Sequence, residues 1–208
     1  MRRQLPGCLA MVLACGSFDA AAQAEGPINA DRPGFSTSPL VVSPGVWQIE
    51  SGYLYADTGS GSSYQTLPQA LLRFGLNDEI ELRLVLPGLA WSDSNGNSDS
   101  GLTDAGFGLK IQLTDDNAST PVAFLAGVSL PTGDDGFTSD SFDPVIGAAW
   151  SHAKFFGTAT ITRADGDYTL ENGVGLSFAL ANASSLFAEW QATFPEDGGS
   201  LLQLNGGW

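Results

Sequence analysis

Ten segments of about ten residues, in which apolar and polar side chains alternate, constrain the fold of this chain more than any other feature of its sequence. The clearest is EIELRLVLP at 79–87, where isoleucine and leucine fill the even positions and glutamate and arginine fill three odd ones. Alternation with period two is typical of a β-strand whose two faces meet different surroundings. The predicted strands are 46–55, 67–76, 79–87, 103–114, 121–130, 144–152, 155–163, 169–180, 185–194 and 201–208.

The connections between these strands differ in length in a regular way. Those after the first, third and fifth strands are long and acidic, whereas most of the intervening ones are short. Long outer loops alternating with tight periplasmic turns are typical of outer-membrane barrels. With 26 glycines and no later apolar run as long as a membrane helix, the sequence predicts an all-β protein. We expect a transmembrane antiparallel up-and-down β-barrel of about 10 strands, or 12 if the chain is truncated.

The N-terminus has the pattern of an export signal. Two arginines precede a short apolar run, and the run ends in the small-residue sequence Ala22-Gln23-Ala24. We therefore divide the chain into a signal peptide at 1–24, a periplasmic N-terminal leader at 25–45 and a β-barrel at 46–208. Cleavage before Cys15, as in a lipoprotein, is the alternative. Both cysteines precede the predicted cleavage site, so the mature chain is expected to lack disulfides and thiol ligands.

The charge of the chain excludes one class of partner. A formal net charge of −15 opposes nucleic-acid binding and suits divalent cations at the acidic loops. The loop around residues 93–104 has the spacing of a calcium loop, but Ser98 stands where a glycine is required and no helices flank it. The weak metal candidates are Asp93, Asn95, Asn97, Asp99, Asp134 and Asp135. We predict no cofactor.

The polar faces of the strands are expected to line the lumen. Because buried charges are costly without partners, we expect glutamates there to pair with arginine or lysine, or to meet water. The predicted lumen-lining residues are Gln48, Glu50, Arg73, Glu79, Glu81, Arg83, Lys110, Glu171 and Glu189. Glycines on the same face, Gly173 and Gly175 among them, are expected to widen the lumen locally.

Candidates for catalysis are few. His152 is the single histidine, and Ser151 beside it points to the opposite face of a strand, so the two cannot form a dyad. No nucleophile–base pair can be assembled, and we expect that the protein is not an enzyme.

Five short blocks in one order resemble a known family. They are DRPGF at 31–35, PGVWQIESGYLY at 44–55, LLRFGLNDEIELRL at 71–84, GLTDAGFGLK at 101–110 and VSLPTGD at 128–134. Together they are similar to the family of Gram-negative exported proteins labelled "transporter" or "putative MetA-pathway of phenol degradation". The resemblance covers about residues 30–207 and implies an outer-membrane barrel. It implies no catalytic or binding residues.

We therefore expect a porin-like channel in the cell outer membrane that passes small, including aromatic or hydrophobic, solutes passively. Its partners are then outer-membrane lipid and a small-molecule solute. A closed structural or loop-binding barrel and a soluble periplasmic β-sandwich are the alternatives. The broken segment ADRPGFSTSP at 30–39 either tucks into the barrel mouth, with Asp31 and Arg32 pairing to lumen charges, or hangs free.

Overall fold

The structure, a computed structural model, describes residues 28–31, 34–59, 61–180 and 185–207. The predicted signal peptide, Arg32, Pro33 and Trp208 lie outside them. The described residues form antiparallel β-sheets, which confirms the all-β prediction. They contain no helix long and apolar enough to cross a membrane. The strands are β1 (Trp47–Glu50), β2 (Leu54–Gly59), β3 (Ser62–Leu67), β4 (Ala70–Gly75), β5 (Ile80–Leu86), β6 (Leu89–Ser94), β7 (Asn97–Leu102), β8 (Ala105–Gln112), β9 (Val122–Leu130), β10 (Asp143–His152), β11 (Phe155–Ala164), β12 (Asp167–Ala179), β13 (Ser185–Pro195) and β14 (Leu201–Gly207).

Ten strands form the larger sheet, which we call the wall. Their order is β1-β4-β5-β8-β9-β10-β11-β12-β13-β14, and each of the ten predicted strands overlaps one of them. The predicted closed barrel is not confirmed, because β1 and β14 are the two edges of the sheet in the described part of the chain.

The remaining strands form a second sheet in the order β2-β3-β6-β7. They correct the sequence prediction, which treated most of 56–66 and 88–102 as loops. Each continues a wall strand beyond a short break, and the order of the four matches that of β1, β4, β5 and β8. Hydrogen bonds between Gly52 and Gln69 bridge one pair of breaks. The second sheet therefore prolongs one part of the wall as two projecting hairpins.

Turn chemistry explains the β6–β7 hairpin. Asn95 and Gly96 have φ values of 54° and 85°, the left-handed conformation that a two-residue hairpin turn requires and that Asn-Gly adopts readily. The flanking residues are mostly polar on both faces, so they lack the apolar period that reveals the wall strands. The Asn-Gly pair was the available sequence signal.

The wall has the reverse of a soluble protein's side-chain distribution. Its largest fully buried side chains are Arg73, Lys110, Glu81 and Glu189. On the opposite face an unbroken apolar row crosses nine neighbouring strands, and 44% of Ile161 in this row is exposed. The row consists of Trp47, Phe74, Leu82, Leu109, Ala126, Ile146, Ile161, Leu170 and Phe194. We call the charged side the inner face and the apolar side the outer face.

The chain before β1 shows that the wall is strongly curved. We call residues 28–46 the inner segment, of which Arg32 and Pro33 are not described. The amide of Asp31 donates to Glu50 in β1, and the amide of Phe35 donates to Glu189 in β13. These two segment residues are at most about 15 Å apart. In a flat sheet, eight strand spacings would separate β1 from β13 by about 38 Å. The wall must therefore curl around the inner segment.

Substitution of Gly75 tests the packing of the inner segment on the wall. A Cβ atom there would overlap the carbonyl oxygens of Val42 and Ser43, and backbone cannot move aside cheaply. We expect Gly75→Ala to lower the free energy of unfolding by about 1–3 kcal/mol. Thermal unfolding followed by circular dichroism in detergent measures this.

Gly52→Ala is the matched control, because a Cβ at Gly52 meets no atom within 4 Å. Equal stability of the two variants would show that the inner segment does not pack on Gly75.

Candidate functional site at the inner face

Arg73 is the centre of an ion cluster on the inner face. Its Nε and Nη2 atoms donate to the two carboxylate oxygens of Glu81, each at 2.7 Å. Its Nη1 donates to Glu50 at 2.7 Å and to the carbonyl of Asn29 at 2.7 Å. The guanidinium is fully buried, so the bidentate pair with Glu81 offsets a large desolvation cost.

Asp31 of the inner segment completes the cluster. Its carboxylate lies 2.5 Å from Arg83, 3.1 Å from Lys110 and 3.5 Å from Arg73. Glu81 also contacts Arg83 at 2.9 Å. Three carboxylates and three cationic groups of the described chain thus meet at one place, with no formal net charge.

The inner segment is held mainly by wall side chains that accept its backbone N–H groups. It forms no strand of its own, so its amides need other acceptors. Val42 donates to Glu81 at 2.9 Å, and Thr37 donates to the hydroxyl of Thr158 at 2.8 Å. The wall thereby fixes the path of a segment that does not join its ladder until it approaches β1.

Glu189 binds the middle of the inner segment. Its two oxygens accept the amides of Phe35 and Ser36 at 2.7 and 2.6 Å. Gly173 provides the space, because a Cβ there would lie 2.7 Å from Ser36 Oγ. That hydroxyl is buried and has no hydrogen-bond partner in the described chain. The space that Gly173 was expected to add to the lumen is therefore filled by the inner segment. The ring of Phe156 covers Gly175.

The remaining predicted lumen residues lie at the edge of this cluster or outside it. Gln48 donates to Glu50 at 2.8 Å and stands at its edge. Glu171 accepts a bond from Gln191 at 3.4 Å, several strands away. Glu79 is exposed at the β4–β5 turn and does not join the cluster.

Two cavities flank the inner segment. The larger, about 520 Å³, lies between the segment and β10–β13, where Phe156 and Phe187 pack edge to face with ring centroids 6.5 Å apart. Ser151 and Ser177 line the same space. The smaller, about 280 Å³, lies beside Thr37 and Arg83. Volumes of this size fit small-molecule ligands.

Asp104, between β7 and β8, organises the acidic loop 131–142. Its carboxylate accepts the amides of Thr132, Gly133 and Ser139 at 2.9, 2.8 and 3.2 Å. Burial raises the pKa of Asp104, but these hydrogen bonds and one from Thr138 outweigh it, so the pKa lies below its usual range. The sequence did not predict this role, because periodicity carries no information on which amides a loop carboxylate will bind.

The weak metal candidates are placed mostly in hydrogen bonds. Asp93 accepts bonds from Gly96 and Ser98 across the β6–β7 turn, and Asp134 accepts the amide of Leu102 at 2.8 Å. In the described ranges, no group of three or more histidine, cysteine, aspartate or glutamate side chains is arranged to hold a metal ion. His152 lies at the end of β10, 2.8 Å from the hydroxyl of Thr120.

A curved antiparallel wall, apolar outside and charged inside around an N-terminal segment, defines the structural class of this protein. The chain belongs to the family described as "Putative MetA-pathway of phenol degradation", whose model matches residues 30–172. This confirms the resemblance seen in the sequence. The matched range includes the whole ion cluster and Asp104. No curated protein and no solved structure matches the chain.

Asp104→Ala tests the anchoring of the loop. We expect the amides of Gly133 and Ser139 to lose protection from hydrogen exchange, because their common acceptor is gone, whereas Thr132 keeps the carbonyl of Leu130 as an acceptor. The folded-state pKa of Asp104 is lowered, so its contribution is complete above the ordinary aspartate pKa and is lost as pH falls through the lower, folded value. Wild-type protection should therefore fail only in strongly acidic buffer.

Asp135→Ala, in the same loop, should leave these amides protected, and exchange can be followed by NMR in detergent. Full protection in Asp104→Ala would contradict the anchoring role.

Proposed function

We propose that this protein is an outer-membrane β-barrel transporter that passes small, including aromatic or hydrophobic, solutes passively. The observation that carries the proposal is the inverted wall, with charge on the inner face and an apolar row around nine strands of the outer face. Lipid-facing strands of transmembrane barrels alternate in this sense.

The energetics of the outer face favour a bilayer. Ile146, Ile161 and Leu170 are neighbours on adjacent strands, and each is more than two-fifths exposed. Removing the exposed half of one such side chain from water is worth about 1 kcal/mol. An exposed apolar surface of this extent is characteristic of a membrane or protein contact rather than of a free soluble surface.

Insertion requires that the edges of the wall be paired. Unpaired N–H and C=O groups on β1 and β14 would cost several kcal/mol each in lipid. In our proposal the barrel closes by pairing these edges, either with each other or through further strands. The curvature that brings β1 and β13 to one short segment supports closure.

The solute class follows from the cavities and the family. The larger cavity combines the rings of Phe156 and Phe187 with serine hydroxyls, a surface suited to an aromatic ring bearing a polar group. The family description refers to phenol degradation. We therefore propose small aromatic compounds as solutes, with export through a cleaved signal peptide to the outer membrane.

A closed structural or loop-binding barrel is the second candidate. It is favoured by the inner segment, which fills much of the interior, and by the two projecting hairpins. In that case function would reside in the acidic hairpins and the loop 131–142.

Ile161→Arg tests the membrane location of the outer face. An arginine near the middle of a bilayer costs about 2–4 kcal/mol, whereas on a water-exposed surface the change stays within about 0.5 kcal/mol. We expect Ile161→Arg to assemble poorly into the outer-membrane fraction of a Gram-negative host.

Ser100→Arg, on the exposed hairpin strand β7, is the control and should assemble normally. Equal assembly of the two variants would place the outer face in water.

Transport is tested with purified full-length protein in planar bilayers and in liposomes. We expect conductance events, and flux of a small aromatic solute above that of protein-free membranes. Inserted protein that gives neither conductance nor flux would reject the transporter and favour the closed barrel.

A further inference from the structure

The charges of the ion cluster are divided unequally between the wall and the inner segment. The wall supplies Arg73, Arg83 and Lys110 against Glu50 and Glu81, a formal excess of one positive charge. Asp31 is the charged group that the described part of the inner segment contributes, and it brings the sum to zero.

Lys110 depends on the inner segment most. Its ammonium donates to both carboxylate oxygens of Asp31, at 3.1 and 3.2 Å, and to the carbonyl of Leu40 at 3.3 Å. All three acceptors lie on the inner segment, while the nearest wall carboxylate contact, from Glu81, is 3.9 Å away. Arg73, in contrast, keeps its bidentate pair with Glu81 and its bond to Glu50 whether or not the segment is present.

We infer that Arg83 and Lys110, assisted by Arg73, form a binding site for a small organic carboxylate, which Asp31 occupies in this structure. An incoming carboxylate would take the place of Asp31 when the inner segment withdraws. The inference rests on the proposed transport function and narrows its solute class to organic monoanions.

The geometry is specific for a carboxylate. Two oxygens of one planar group are contacted together by Lys110, and one of them also by Arg83 at 2.5 Å. A neutral molecule in this place would leave the ammonium without the counter-charge that Asp31 supplies, which is unfavourable. The larger cavity has Asp31, Phe156 and Phe187 in its lining. In our inference, an aromatic carboxylate that replaces Asp31 places its charge beside Lys110 and its ring toward the phenylalanines.

The attachment of the inner segment permits exchange. Before Gly45 its amides bind wall side chains rather than the ladder of a strand, so the sheet stays paired when the segment leaves. The buried hydroxyl of Ser36 has no partner in the part of the chain that is described. The segment is thus an imperfect internal ligand.

Chemical complementation of Asp31→Ala tests the site. The full-length variant in detergent should bind benzoate and acetate, with a saturable rise in its unfolding temperature and an affinity at least tenfold above that of the wild type. Benzamide and acetamide, of similar shape but uncharged, should have no effect. If the variant refolds poorly, benzoate in the refolding buffer should restore the yield and benzamide should not.

The double variant Asp31→Ala/Lys110→Met is the matched control and should lose the response, because the excess positive charge is gone. Absence of a benzoate response in Asp31→Ala, or an equal response to benzamide, would overturn the anion site.

Withdrawal of the segment is tested by locking it. The amide of Thr37 donates to the hydroxyl of Thr158 at 2.8 Å, so these neighbouring positions are chosen for a cross-link from segment to wall. Thr37→Cys/Thr158→Cys is made with Cys8→Ser and Cys15→Ser, and disulfide formation is verified by the loss of free thiols before flux is measured. We expect benzoate flux into liposomes to fall severalfold on oxidation and to return on reduction, with no change in the single-cysteine variants. Equal flux in both states would overturn withdrawal.

The two proposals fail separately. Absence of flux for every solute, with benzoate still bound by Asp31→Ala, would reject the transporter and keep the anion site. Flux without benzoate binding to Asp31→Ala would reject the anion site and keep the transporter.

Discussion

The fully buried guanidinium of Arg73 is the interaction on which the rest of the structure depends. It joins β1, β4 and β5 through Glu50 and Glu81 and reaches the inner segment through the carbonyl of Asn29. A charge this deep is tolerable only where its donors meet acceptors, so it requires the carboxylates of Glu50 and Glu81 beside it. Those carboxylates in turn accept amides of the segment and fix its path. The electrostatics of one side chain thus couple the strand register at one edge of the wall to the position of a segment that is not part of it.

The inner segment and the curvature of the wall depend on each other. A chain of five residues, Asp31 to Phe35, can bind both β1 and β13 only if the sheet curls, and the curled sheet leaves room inside for the segment and for two cavities. Small residues facing inward make that room. Gly75 lies under the carbonyls of Val42 and Ser43, and Gly173 lies under Ser36. A regular strand could not follow this path, because its amides would need a neighbouring ladder instead of side-chain acceptors.

Much of the wall could be predicted from the sequence, because each wall strand separates two environments and therefore shows a period of two. β6 and β7 meet similar surroundings on both faces and carry no such period, so the sequence predicts loops there. Their one available signal is the Asn95-Gly96 turn. The cluster was partly predictable, since Glu81 and Arg73 fall on the polar faces of clear strands. Pairing of Asp31 with inner-face charges was one of two alternatives that the sequence left open. Its specific partnership with Lys110 was not predictable, because 79 residues separate them and the segment has no periodicity to place it. The same limit hid the role of Asp104, whose acceptor geometry depends on how the loop 131–142 folds.

In the anion site that we infer, the distribution of charge makes withdrawal of the inner segment an exchange rather than a simple release. Asp31 and an incoming carboxylate require the same donors on Lys110 and Arg83, so their binding is mutually exclusive. A solute without a negative charge cannot replace the segment in the cluster, because it would leave Lys110 without the counter-charge that Asp31 supplies. The apparent affinity for an organic anion is its intrinsic affinity reduced by the fraction of molecules in which the segment has withdrawn. Each contact between the segment and the wall, such as those made by Glu81 and Glu189, lowers that fraction. Residues that never touch the anion therefore set the concentration at which it binds.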